Sequence, residues 1–82
     1  MGTKEKLIAR FTGKPKDFSY EELKRLLGFF GYSDEQASGS RVVFSNKQKG
    51  HKIKLHKPHP INVLKRYPIE LIEQELKELG IL

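Results

Sequence analysis

Apolar residues recur along this chain with two periods, and the switches between them divide it into helices and strands. Over residues 4–12, Leu7, Ile8 and Phe11 fall at helical spacing and predict a short amphipathic helix that stops before Gly13-Lys14-Pro15. This helix reads as an appendage to the main core. A stronger start signal follows. Ser19 with Glu22 three residues on makes a capping box, while Phe18 and Leu23 occupy the two positions of a hydrophobic staple, so a second helix begins at Tyr20. Its inner stripe is Leu23, Leu26, Leu27 and Phe30. Gly31 suits the left-handed position just past its end, with Gly28 as an earlier alternative.

From Tyr32 to Gly39 the sequence is polar and only weakly strand-like. The two strands after it are clearer. Arg41–Asn46 and His51–His56 alternate with a period of two and are joined by Lys47-Gln48-Lys49-Gly50, whose glycine suits a hairpin loop. Alternation sends Ile53 and Leu55 to the core, with Val42 and Phe44 as the inward pair of the preceding strand. Arg41, Val43 and Ser45 are then left on the outer face, beside Lys52, Lys54 and His56.

Pro58 and Pro60 remove two amide donors, so the chain leaves the sheet at Lys57-Pro58-His59-Pro60. Residues 61–66 carry no decisive pattern. In the last helix Pro68 suits the first turn and Glu70 its positive end; Ile69, Ile72, Leu76 and Leu79 form the stripe, and Gly80 closes it. No repeat or low-complexity segment interrupts this order. The prediction is an α+β sandwich: a three-stranded antiparallel sheet with two helices on one face, preceded by an extra helix. Residues 1–18 are its N-terminal helix and linker, and residues 19–82 its main domain.

Size and composition narrow the classes of function. A chain of 82 residues has room for one small core and for no separate cofactor domain. No apolar run approaches the ~20 residues of a membrane span. No apolar stretch of signal-peptide length follows the start, and there is no cysteine. A cytoplasmic setting is therefore expected, and disulfide and thiol chemistry are excluded.

The net charge of +6 is unevenly spread: residues 41–67 hold eight Lys and Arg, three His and no Asp or Glu. Such a stretch has no local counter-charge, so its field is available to an anionic partner.

The helix, three strands and helix also follow the order of the double-stranded-RNA-binding fold. Leu26-Leu27-Gly28-Phe29-Phe30-Gly31-Tyr32, then Gly39-Ser40, a strand, Pro58-His59-Pro60, and a final helix ending Leu76-Lys77-Glu78-Leu79-Gly80-Ile81 together resemble the HicA family of toxin-antitoxin ribonucleases. The resemblance covers roughly residues 20–82 and leaves the first helix outside. It implies a small mRNA-cleaving toxin, without membrane or small-molecule cofactor, held inactive by a HicB-like antitoxin. In that family a histidine regarded as catalytic follows Gly-Ser within two positions, whereas here Arg41 and Val42 follow. The other family histidine is matched by His59.

Metal-free RNA cleavage needs a base for the ribose 2′-hydroxyl, an acid for the departing 5′-oxygen and a cation near phosphorus, and histidine suits both proton roles. His56 is one candidate, being outward among Arg41, Lys52 and Lys54. His59, on a stiff loop, is the other. His51 shares parity with Ile53 and Leu55 and is read as a core-edge residue. Arg41 suits bidentate phosphate binding and cannot act as a base. Arg41, Ser45, Lys52, Lys54 and Lys57 are the candidate RNA contacts. The three histidines lack a Cys or carboxylate to complete a zinc shell, so no metal site is assigned. Two other functions stay open: an RNA-binding module that does not cut, favoured by the missing histidine, and a small adaptor for an acidic protein.

Overall fold

The structure, a computed structural model, describes residues 2–58 and 61–82. Its elements run α1 (Thr3–Thr12), α2 (Tyr20–Phe29), β1 (Ser33–Gln36), β2 (Arg41–Asn46), β3 (His51–His56) and α3 (Arg66–Glu78). The strands form one antiparallel sheet in the order β1-β2-β3. This is the α+β layout that the hydrophobic pattern predicts. No helix among the described residues is long and apolar enough to cross a membrane.

Both ends of α2 are fixed by local chemistry. The Glu22 amide donates to Ser19 Oγ and the Ser19 amide to Glu22 Oε1, each at 3.1 Å. This reciprocal pair satisfies two amides that the first turn leaves unbonded. At the other end Gly31 takes φ +93°. Its amide donates to the Gly28 carbonyl, and the Tyr32 amide reaches the Leu27 carbonyl at 3.0 Å. That 6→1 bond closes the helix one turn beyond Gly28, so Gly31 is the terminating glycine. Chain direction then reverses into β1.

Val42, Phe44 and Ile53 point from one sheet face into a core that also takes Leu23, Leu26 and Leu27 of α2 and Ile69, Ile72 and Leu76 of α3. Leu55 is only half-buried. Asn46 shares the inward face and is buried with both polar atoms used: Nδ2 donates to the Phe30 carbonyl at 3.0 Å and Oδ1 accepts from the Lys49 amide at 3.1 Å. It therefore ties the end of α2 to the β2–β3 hairpin.

Two expectations from the sequence need revision. The first helix is part of the core: Phe11 is 0% exposed, Leu7 is buried, and the Phe11 and Phe18 rings lie 5.5 Å apart. Ion pairs reinforce the docking, from Arg10 to Glu22 at 2.7 Å and from Lys14 to Glu73 at 2.8 Å. The last helix begins at Arg66, two residues before Pro68. Glu70 thus falls past the first turn, where it pairs with Arg66 at 2.7 Å.

The unassigned stretch before α3 also has a defined role. The Leu64 amide donates to the Phe18 carbonyl at 2.8 Å and the Tyr20 amide to the Asn62 carbonyl at 3.3 Å, so the chain entering α3 runs antiparallel to the chain entering α2.

Glu73 is a charge inside this framework, 6% exposed and held by Lys14 and by Lys77 at 3.5 Å. The hydrogen bond from Lys14 lowers its pKa against the opposing effect of burial, and the charges of Lys14 and Lys77 add to the lowering. For Glu22, burial alone raises the pKa, but the hydrogen bonds from Arg10 and the Ser19 amide outweigh it and the net shift is downward. A carboxyl with a depressed folded-state pKa stabilises the fold above its unfolded value of about 4.3, and that stabilisation is lost as pH falls through the folded value. Melting temperature is accordingly expected to stay level from pH 7 to about 5 and to drop below about pH 4. Glu73→Gln should lower stability at pH 7 by about 1–3 kcal/mol and flatten the acid limb, measured by thermal denaturation across pH.

Candidate nucleic-acid interface

With Val42, Phe44 and Ile53 turned inward, strand alternation leaves an open sheet face arranged in cross-strand rows. Arg41 faces His56; Val43 faces Lys54 on one side and Glu35 on the other; Ser45 lies between Lys52 and Ser33. Arg41, Lys52, Lys54 and His56 are exposed, while Val43 and Ser45 are half-buried. Four of the five expected RNA contacts therefore share one surface with His56. Of the eight Lys and Arg in residues 41–67, only Arg66 is paired with a carboxylate among the described residues. Arg10 and Lys14, by contrast, are both paired. Cations not bonded to a carboxylate, fixed on a sheet face whose acidic group is Glu35 at the β1 edge, concentrate a positive field where a polyanion can lie flat.

Chemistry concentrates at one end of that face. The backbone pairing of Arg41 with His56 puts the two side chains at adjacent positions on one face, and both line the same cleft. Ser40 Oγ lies 3.5 Å from His56 Nδ1, at the outer limit of a hydrogen bond. The Ser40 carbonyl accepts from the Lys57 amide at 2.7 Å and so extends the strand pairing past its last ladder residue. A cleft of about 390 Å³ opens here, with Arg41, Lys54 and His56 as its polar walls and Ala37 and Val43 among its apolar ones. When Nδ1 donates to Ser40, the neutral ring presents Nε2 as a base.

The remaining candidates lie elsewhere. His51 is at the core edge, as its parity predicts: its Nδ1 is 2.8 Å from the Tyr32 hydroxyl and its Nε2 is 3.4 Å from Glu75 Oε1. A carboxylate only accepts, so Nε2 is the nitrogen that donates toward Glu75, and when the ring is neutral Nδ1 accepts from the Tyr32 hydroxyl. Burial raises the Tyr32 hydroxyl pKa, with the Glu75 charge adding to it, so the phenol stays a donor. His51 and His56 occupy opposite ends and opposite faces of β3, and no three metal-ligating side chains converge among the described residues.

Lys57 does not join Lys52 and Lys54. Alternation continues one residue past β3 and turns it to the helix side, where Nζ sits 5.2 Å from the centre of the Tyr20 ring. His59 lies outside the described residues.

Two neighbours of this site escape a sequence reading, Ser40 beside His56 and Glu35 on the same face. Both follow from strand register, which a polar β1 does not announce. Comparison with protein-family models, with curated proteins and with solved structures finds no match.

Proposed function

We propose that this chain is a HicA-like endoribonuclease that holds RNA across the open sheet face and cuts it at His56, on a fold of the double-stranded-RNA-binding type. The pairing of Arg41 with His56, beside the Ser40 hydroxyl and Lys54, carries this reading. In the reaction His56 Nε2 takes the proton of a ribose 2′-hydroxyl as its oxygen bonds to phosphorus. The bond from phosphorus to the 5′-oxygen breaks, that oxygen takes up a proton, and the products are a 2′,3′-cyclic phosphate and a 5′-hydroxyl. Arg41 grips two phosphate oxygens through its planar fork, and Lys54 offsets the charge that builds on them. His59, the match to the family's other histidine, is the second catalytic candidate, and we assign it the role of acid. The chemistry is proton transfer plus fixed positive charge, so neither a metal nor a cofactor takes a step. An acidic, HicB-like antitoxin is the natural inhibitor, since its charge matches a face of unpaired cations.

The deciding assay incubates the protein with mixed-sequence RNA in EDTA and examines the ends of the products. Fragments ending in cyclic phosphate support the ribonuclease. Intact RNA with salt-sensitive binding leaves the non-cutting RNA-binding module, a reading favoured by Arg41 standing where the family has its histidine. No binding at low salt removes both and favours the acidic-protein adaptor. In the same titrations the triple variant Arg41→Ala, Lys52→Ala, Lys54→Ala should lose affinity for RNA and lower the slope of log K against log salt by about two, as three phosphate contacts on a single strand require.

A further inference from the structure

His56 borders a second cleft, larger than the first at about 540 Å³. Among the described residues Pro58, Ile61, Val63, Leu64 and Pro68 form its apolar walls, and Lys57 and Lys65 supply its cations. Leu64 is 3% exposed, so this wall belongs to the packed core. Its shape is set by features already described: the Leu64 amide is bonded to the Phe18 carbonyl, Val63 pairs with Ser19, and α3 begins at Arg66. None of the described residues lining either cleft is acidic, and His56 is the residue they share.

An apolar slot beside a phosphate-gripping pair has the properties that a flat heterocycle needs next to a charged backbone. The walls exclude water from the ring faces, and lysine ammonium groups, which only donate, match carbonyl and ring-nitrogen acceptors on a base edge. A base held in a duplex cannot enter, because it is stacked and paired, and extruding it costs a few kcal/mol. We propose that this cleft receives an unpaired base of the RNA adjoining the phosphate at His56, so that the substrate is single-stranded at the point of cleavage. This deepens the ribonuclease reading and rests on its RNA-binding half. Recognition then has two parts: shape-independent grip by the sheet face, and one base read in the cleft.

The test uses the full chain and single-stranded RNA octamers with 2′-O-methyl riboses, which bind without being cut. One base at a time is deleted, and affinity is measured by fluorescence anisotropy. Deletion at one position should weaken binding about tenfold or more, against little change elsewhere. Val63→Trp, which fills the cleft, should weaken the intact octamer by a similar factor and erase the difference between intact and base-deleted strands. Lys65→Ala, a change at an exposed lysine that leaves the core untouched, should act in the same direction and serves if the tryptophan variant does not fold. Equal affinity at every deleted position, with Val63→Trp binding as wild type, overturns the base site and leaves the sheet-face reading standing. An effect of Val63→Trp on an acidic leucine-containing peptide but not on RNA overturns it in favour of a protein partner. Absence of all RNA binding at low salt removes the RNA reading and the base site together.

Discussion

His56→Ala is expected to slow RNA cleavage by about 10²- to 10⁴-fold while leaving affinity for uncut RNA almost unchanged. In the proposed reaction the imidazole moves one proton, and the proposed grip on phosphate belongs to Arg41, Lys52 and Lys54, which share its sheet face. Removing it therefore acts on the chemical step and spares binding. Two companion variants separate this from general damage. Arg41→Lys keeps the charge but loses the planar fork, so cleavage should fall while the salt dependence of binding stays. Ser40→Ala leaves His56 in place without its neighbour at Nδ1, and should reduce the rate by less than His56→Ala. If His56→Ala cuts as fast as wild type, the base is not on this face. A cleavage defect in His59→Ala would then assign the base to His59.

Phe11→Ala is expected to remove a large share of the protein's stability. Removing a fully buried phenylalanine costs about 3–5 kcal/mol through lost transfer energy and the cavity left behind. A domain of 82 residues has a total stability of only about 4–12 kcal/mol. Phe11 is fully buried against Phe18, on a helix also held by Arg10 and Lys14. Urea denaturation followed by circular dichroism should show a much lower midpoint, and a chain starting at residue 19 should lose its cooperative transition. A stability within about 1 kcal/mol of wild type would show that α1 adds little to the fold.

The contrast between α1 and α2 shows what a sequence of this kind reveals. The α2 start is written in side chains three residues apart, and its end in a glycine that must take positive φ, so both are local and legible. β2 and β3 are legible because alternation coincides with burial at Val42, Phe44 and Ile53. β1 is four exposed polar residues, and its strand character comes from pairing with β2. Burial of α1 depends on surfaces of α2 and α3 that exist only after folding. The site divides in the same way. Parity alone finds Arg41, Lys52, Lys54 and His56, whereas Ser40 and Glu35 need the register. Lys57 leaves the set because its backbone pairs with Ser40 beyond the last ladder residue, and parity then turns it inward.

The meander of the sheet has a consequence for how the protein forms. Every strand pairs with its neighbour in sequence, so the open face assembles by closing short loops, which is the fast kind of folding step. Contacts between distant parts of the chain include the pairing of residues 18–20 with 62–64 and the bond from Lys14 to Glu73. Such contacts carry the larger loop-closure cost, so they are expected to form after the β2–β3 hairpin, as amide protection followed by pulsed exchange during refolding would show. The cationic face is thus expected to take shape before the cleft bounded by Val63 and Leu64.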